Sequence, residues 1–428
     1  MKASELKKYV LEGGVDAALV SDLGVFPGDV MKKRERIAGA IDSFSALYGD
    51  REAHLFSVGG RSEISGNHTD HNRGRVLCAA INLDIIAVAS PTDDKCVTVK
   101  SEGFEADFVT ESDIAAPSED KKFTSAAIIA GMERAFLDRG LSAGGFVAYT
   151  VSDVLKGSGL SSSAAFEVMI GNIINHLYNG GRVENTEIAK MAQFAENVYF
   201  GKPCGLMDQM ACAVGGFIYI DFEDTQSPVI EKQEFSLSEN GLCLCITDTG
   251  GNHADLNEDY ASVPAEMKAV AAYFGKEVLR EVSEEDIIAN AGEIRAVKGD
   301  RALLRALHFA AENRRVSAQA KALSEGDCGA FLENVIASGL SSFRYLQNVY
   351  TTKNVSEQGL SLALCLSEHF LSGKGGAWRV HGGGFAGTVQ AFVPVHLTGE
   401  YKEFMEKTFG EGKCYVLNVR PAGAVRII

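Results

Sequence analysis

"KGSGLSSSAAFEV", Lys156 to Val168, sets a run of serines behind two closely spaced glycines, at the entrance to an apolar helix. The stretch ahead of it, "GGFVAYTVSDV", reads as a strand. Behind it, Phe166, Met169, Ile170, Ile173, Ile174 and Leu177 recur at i, i+3, i+4, i+7, i+8 and i+11, the spacing of one helix face. The serines therefore join a strand to a helix N-terminus. A nucleophile elbow needs G-x-S-x-G, but Ser161, Ser162 and Ser163 are followed at that offset by Ser163, Ala164 and Ala165. No Walker A string occurs, and Gly157 and Gly159 lack the third glycine of a Rossmann loop. A phosphate cradle satisfies the physics. The leading N–H groups of a helix have no intrahelical partner and carry partial positive charge. Glycines let the backbone approach an anion, hydroxyls add donors or a ligand for Mg²⁺, and Lys156 adds charge. A serine N-cap on a glycine-rich turn uses the same residues, and the loop alone leaves both readings open.

Composition narrows the class. The chain has 428 residues, 46% apolar and 23% charged, with a mean hydropathy of 0.00. That predicts a globular protein of more than one domain. No apolar run approaches the ~18 to 20 residues of a membrane span. The start, "MKASELKKYVLEGG", lacks the apolar stretch of a signal peptide, so the expectation is a cytoplasmic protein with no membrane partner. A formal net charge of −16 argues against nucleic acid as a partner, though not against an anion held locally. The nine cysteines form no CxxC pair and read as buried reduced thiols.

Along the chain, the segment up to "RERIAGAIDSFSALYGD" reads as amphipathic helix, "HLFSVGG" as a strand running into a polar loop, and "RVLCAAINLDIIAVAS" as a buried strand pair. Ser101 to Lys122 reads as exposed connections. "TSAAIIAGMERAFLDRG" and "TEIAKMAQFAENVYFG" have helical spacing, "KPCGLMDQMACAVGG" reads as a loop, and "FIYIDF" as a strand. The polar stretch Glu223 to Pro228 marks a boundary. Both halves mix strands and helices without the regular alternation of a doubly wound sheet, so the fold class is α+β.

Three separated strings carry a resemblance: "GGRSEISGNHTDHNRG" (Gly59 to Gly74), "DVLKGSGLSSSAA" (Asp153 to Ala165) and "GGGFAGTVQAF" (Gly382 to Phe392). In this order and spacing the chain resembles the GHMP small-molecule kinases. The first string, with "CGLMDQ" (Cys204 to Gln209), "RALHFAAENRRVSAQAKALSEGD" and "ASGLSSFRYLQNVY", resembles the galactokinase branch. The resemblance implies a two-domain GHMP kinase fold, a ribosomal-S5-like domain at residues 1–222 and a ferredoxin-like domain at 223–428, with ATP and a sugar between them. It implies phosphoryl transfer to a sugar hydroxyl by a monomer or weak homo-oligomer.

Residue by residue, the resemblance implies Asp208 as the catalytic carboxylate and Arg61 as the guanidinium that keeps it ionised and faces the transferred phosphoryl group. A helix-capping aspartate and a surface ion pair are the plainer readings of those two. Lys156, Gly157, Ser158, Gly159, Leu160, Ser161, Ser162 and Ser163 would bind ATP, with Ser163 and Glu196 on Mg²⁺. Asn67, His68, Asp70, Gly205 and Tyr260 would hold the sugar. His253 fits a family position too. "HTDH" alone lacks the further ligands of a metal cluster.

The chain departs from the family string R-V-N-L-I-G-E-H-T-D-Y-N. Glu63 stands at its first asparagine, Asn67 at its glutamate and His71 at its tyrosine; Leu155 replaces the usual proline before the glycines, and Asn252-His253 an Arg-His. An amide donates as well as accepts and carries no charge. The resemblance implies D-galactose as the acceptor, and the departures open a galacturonic acid, L-arabinose or an N-acetylated hexosamine as alternatives. A sensor that binds both ligands without turnover is the reading from another class; the intact Ser161 to Ala165 and Asp208 favour catalysis.

Overall fold

The computed structural model describes residues 1–154, 159–251 and 256–428. Among them, β1 (His54–Ser65), β2 (Arg75–Pro91), β3 (Val97–Ser101), β4 (Ala106–Val109), β5 (Phe146–Ser152), β6 (Phe217–Asp221) and β7 (Val229–Gln233) belong to one sheet. A second, antiparallel sheet joins β8 (Leu242–Asp248), β9 (Ala377–Val380), β10 (Thr388–Pro394) and β11 (Cys414–Leu417) in the order β11-β8-β10-β9. The last strand, β12 (Val425–Arg426), returns to the first sheet beside β1. The first sheet runs β12-β1-β2-β5-β3-β4, with β6 on β2 and β7 on β6.

Alternation along the strands feeds two cores. On β2, Ile85, Ala87 and Ala89 enter one core while Ile86 and Val88 enter the other. The first core is closed by the helices Ser125–Asp138, Ser162–Tyr178, Asn185–Phe194 and Met207–Val214. The second is closed by the N-terminal helices Ala3–Leu11 and Val30–Tyr48, through Leu6, Val10, Ile37, Ile41 and Phe44. The N-terminal segment is therefore a third layer over the first sheet.

Several elements differ from the sequence reading. β1 runs on through "GGRSEIS", because Arg61, Ser62 and Glu63 are buried and each finds a partner; register shifts near Gly60 and Ile64 absorb the irregularity. β2 is one long strand rather than a pair, since β6 covers its first part and β5 its last. Ser101 to Lys122 contains β4 and the helix Glu111–Ala115, anchored by buried Val109 and Ile114. β7 and β12, both from beyond residue 222, complete the first sheet. Cysteines 78, 212, 243, 245 and 414 are buried, whereas Cys96 and Cys365 are exposed.

One buried carboxylate ties the layers together. Asp84 accepts from Lys33 Nζ at 2.5 Å, Arg36 Nη1 at 2.6 Å and the Ser57 hydroxyl at 2.5 Å, with Arg420 Nη1 at 3.5 Å. Arg36 also lies 2.8 Å from Asp153, just past β5 on the approach to the serine stretch. Burial acting alone would raise the Asp84 carboxyl, but the surrounding cations hold it well below the ordinary carboxylate range. Asp84→Asn strips the counter-charge from those cations. Loss of one partner from such a buried cluster costs about 3–5 kcal/mol. The urea midpoint of the variant should fall accordingly, and an unchanged midpoint would refute the assignment.

Candidate active site

Arg61, on β1, forks onto Asp208: Nε donates to Oδ1 at 2.7 Å and Nη2 to Oδ2 at 2.8 Å. Its Nη1 donates to the Gly159 carbonyl, and its backbone N–H donates to the Leu160 carbonyl at 3.0 Å. Gly60 keeps that approach open, since a Cβ there would stand 2.7 Å from the Leu160 oxygen. Leu160 itself is wholly buried. Ser161 adopts a left-handed φ of 58° and turns its hydroxyl onto Asp208. Ser162 and Ser163 open the Ser162–Tyr178 helix. Asp208 sits in the first turn of Met207–Val214, where unpaired N–H groups favour a carboxylate. Burial pushes the Asp208 carboxyl up, but the charge and hydrogen bonds of Arg61 and the Ser161 hydroxyl outweigh it. The net position is below the ordinary value, so Asp208 is ionised at neutral pH.

Asp208 faces a cavity of about 150 Å³ that also exposes Asp70, Ser163, Glu196, Lys202 and Gly205. A Cβ on Gly205 would lie 3.1 Å from Asp70 Oδ2, so glycine leaves room beside that carboxylate. Glu196 is buried; Lys202 Nζ lies 3.3 Å from its Oε1, and Gln209 Nε2 donates to its Oε2 at 2.7 Å. The same amide nitrogen donates to Glu167 Oε2 at 3.0 Å, while Glu167 Oε1 is buried with no hydrogen-bond partner. Burial, then the nearby Glu196 charge, pushes the Glu167 carboxyl up to about 8. Ser163 and Glu196 thus share one cavity, and the Glu167 oxygen beside them is left without a partner. This all-oxygen set suits Mg²⁺. Among the described residues, no group of three or more His, Cys, Asp or Glu side chains is arranged to hold a metal by itself.

Of the residues expected at the sugar, Asp70 and Gly205 line the cavity that Asp208 faces, and Asn67, His68 and Tyr260 gather against the second half's glycine loop. His68, left-handed at φ 58°, places Nε2 2.8 Å from the Gly383 carbonyl, and burial keeps its imidazole neutral. The Tyr260 hydroxyl donates to the Gly384 carbonyl at 2.5 Å, and its ring meets Phe385 edge-on. Asn67 is buried to 0% exposure and saturated. It donates to Glu63 Oε1 and to the Gly382 carbonyl, each at 2.6 Å, and accepts from Asn348 Nδ2 at 2.6 Å. Its side chain has no donor left for a sugar. Lys156, Gly157, Ser158 and His253 lie outside the described residues.

Other parts of the site were not assigned from sequence. A second cavity, of about 280 Å³, opens beside the serines; Ile85, Phe104, Ile128, Phe166 and Phe200 wall it, with Ser162 and Ser163 at its edge. Its walls come from separate elements, so no local string announces it. The Asp300–Glu325 helix holds the first motif's loop: Glu312 accepts from Gly66 N–H at 3.0 Å, Asn313 accepts from Arg75 N–H at 2.8 Å, and His308 Nε2 lies 3.3 Å from the Asn67 carbonyl. "HFAAEN" carries those three polar residues on an otherwise apolar helix face, which is the signal that marks them. The "CGLMDQMACAVGG" stretch is largely helix, as its apolar residues at 206, 207, 210 and 211 permit.

Comparison with known proteins agrees with this geometry. Residues 125–216 match the family of the GHMP kinases N terminal domain, and residues 42–91 match the galactokinase galactose-binding signature. The chain is 32% identical to a galactokinase of Streptomyces coelicolor, over 85% of this chain and 90% of that one. It is likewise 32% identical to a galactokinase of Actinobacillus pleuropneumoniae, over 83% and 89%. In fold it is similar to Lactococcus lactis galactokinase complexed with galactose, with a TM-score of 0.74 at 23% identity, covering 90% of this chain and 98% of that one. Among the described residues no helix is long and apolar enough to cross a membrane. With a fork-held carboxylate, a serine-led helix and these relatives, the chain belongs to the galactokinase family of the GHMP kinases.

Proposed function

We propose that this ATP-dependent phosphotransferase moves the γ-phosphoryl group of ATP to the anomeric hydroxyl of D-galactose. The observation that carries the reading is Asp208: ionised, fork-held by Arg61, and facing the cavity that also holds Asp70 and Ser163. The hydroxyl oxygen attacks the γ-phosphorus, the bond to the β,γ-bridging oxygen breaks, and Asp208 accepts the proton. Such transfer depends on positioning and charge neutralisation. Arg61 orients the carboxylate, and the leading N–H groups of the Ser162–Tyr178 helix face the phosphates. Mg²⁺, held by Ser163 and Glu196, would add charge neutralisation at the phosphates. The apolar cavity walled by Ile85, Ile128 and Phe166 suits the purine ring. His68, Asp70, Gly205 and Tyr260 line the sugar side. In this reading, residues 1–222 and 223–428 are the two lobes, with β7 and β12 crossing to finish the first sheet.

The test is ADP release, followed with a coupled assay across a sugar panel. Turnover of galactose that drops about 10²–10⁴-fold in Asp208→Asn, with ATP affinity retained, is the expected result. Turnover of only a galacturonic acid, L-arabinose or an N-acetylated hexosamine would reassign the substrate. Binding of both ligands without ADP release would make the chain a sensor.

A pH profile tests the fork. With the Asp208 pKa lowered, the wild-type base stays ionised down past the ordinary carboxylate value of about 4. Its protonation therefore causes no acid limb in kcat/KM near neutrality. In Arg61→Met burial prevails, the pKa rises, and activity is lost as pH falls through that higher value. Identical acid limbs in both proteins would count against the assignment. At the other cavity, Ile128→Trp should raise KM for ATP while leaving KM for the sugar unchanged; the opposite split would move the purine elsewhere.

A further inference from the structure

The saturation of Asn67 leaves a question about the sugar side of the cleft. Asn67 is enclosed, and its two N–H donors go to Glu63 and the Gly382 carbonyl. Its oxygen is taken by Asn348, with the Ser342 hydroxyl at 3.5 Å. Glu63 differs. Its Oε1 accepts from Asn67 at 2.6 Å, while no donor among the described residues reaches Oε2. Glu63 and Arg61 lie two apart in an unbroken stretch of the β1–β2 register, so their side chains share one face of the strand. That face is the one from which Arg61 reaches Asp208. Burial raises the Glu63 carboxyl, Arg379 and Arg61 partly offset that, and Asp70 acts on it as a like charge. Glu63 thus lies on the Arg61 face of β1, with Arg61, Arg379 and Asp70 as its charged neighbours. Relative to the family string, positions 63 and 67 carry the amide and the carboxylate in exchanged order.

We propose that Glu63 and Asn67 form one exchanged recognition unit: Glu63 supplies the specificity-determining carboxylate oxygen for the acceptor sugar, and Asn67 is the positioning residue that holds it. The inference rests on the reading of the chain as a sugar kinase. It has a sharp consequence. Asn67→Glu alone does not repair galactose recognition. It sets two carboxyls within hydrogen-bonding distance in a buried place, so one must take up a proton, and it leaves the Gly382 carbonyl without its donor.

A double-mutant cycle tests the unit, read as kcat/KM for the sugar that the wild type turns over, D-galactose first, and as sugar affinity by isothermal titration. If the wild type is inactive on every sugar of the panel, the proposed function fails, and the titration alone then decides the unit. Asn67→Glu and Glu63→Asn should each lower kcat/KM by about tenfold or more, with KM for ATP within about twofold of wild type. The double variant Glu63→Asn/Asn67→Glu should recover to within about fivefold of wild type, since both partners are again present. A double variant no better than the worse single one overturns the proposal. Glu63→Gln covers the case of poor folding. It keeps the shape and an acceptor for Asn67 but removes the charge, and should lose sugar affinity about tenfold with an unchanged thermal midpoint. Wild-type sugar affinity in Glu63→Gln also overturns the proposal.

Discussion

Everything at this site depends on how Arg61 is spent. One guanidinium fixes Asp208 with two parallel hydrogen bonds, reaches the Gly159 carbonyl with its remaining nitrogen, and sits on a strand whose backbone is bonded to Leu160. Three chain segments far apart in sequence, at positions 61, 159 and 208, are thereby held as one body. A lysine would supply the charge but not the planar fork, so it could not fix the carboxylate's orientation and the loop's position together. The three segments could not be brought together by local propensity. The long sheet and the helices against it place them, and the arginine locks the result.

The second half of the chain acts on the same strand. Arg379 Nη1 donates to the Ile64 carbonyl at 2.7 Å, and Gln390 Nε2 donates to the Glu63 carbonyl at 2.8 Å. Glu312 takes the Gly66 N–H, with burial outweighed by Arg315 and neighbouring charges so that its carboxyl falls to about 2. These are bonds to backbone from buried charged or amide groups, a costly arrangement unless every partner is present. They fix where β1 ends and where the His68 to Asp70 loop begins. The loop that carries His68 and Asp70 is therefore shaped by residues 312, 379 and 390, far away in the chain.

How much of this the sequence disclosed depended on the range of the interaction. The serine-led helix, the apolar face behind it and the α+β class followed from spacing within a few residues. Arg61, Asp208, Ser163 and Glu196 are legible through motif resemblance, and the structure sets the last three around one cavity with Arg61 forked onto Asp208. "RSEIS" reads as a loop after "HLFSVGG" because it is polar; its partners Gln390, Arg379 and Asn67 come from other segments. Asn67 looked like a sugar contact because the string around it is a sugar-binding string. That its amide is consumed by Glu63, Gly382 and Asn348 is a fact of three distant segments. The apolar cavity beside the serines has no sequence signature for the same reason.

The carboxyl groups of the site show why partners, and not burial, assign the roles. Glu167 is enclosed and meets only an amide nitrogen, so burial raises it to about 8. Asp208 meets a guanidinium and a hydroxyl, and falls below its ordinary value although burial acts on it too. Its side chain also keeps 33% of its surface, whereas Glu167 as a residue keeps 1%. A base must be deprotonated at working pH and within reach of the hydroxyl it serves. Between these two, Asp208 alone is ionised and open to the cavity. Two carboxyls served by neighbouring residues of one helix, Asp208 itself and Glu167 through Gln209, are thus set in opposite protonation states by their partners.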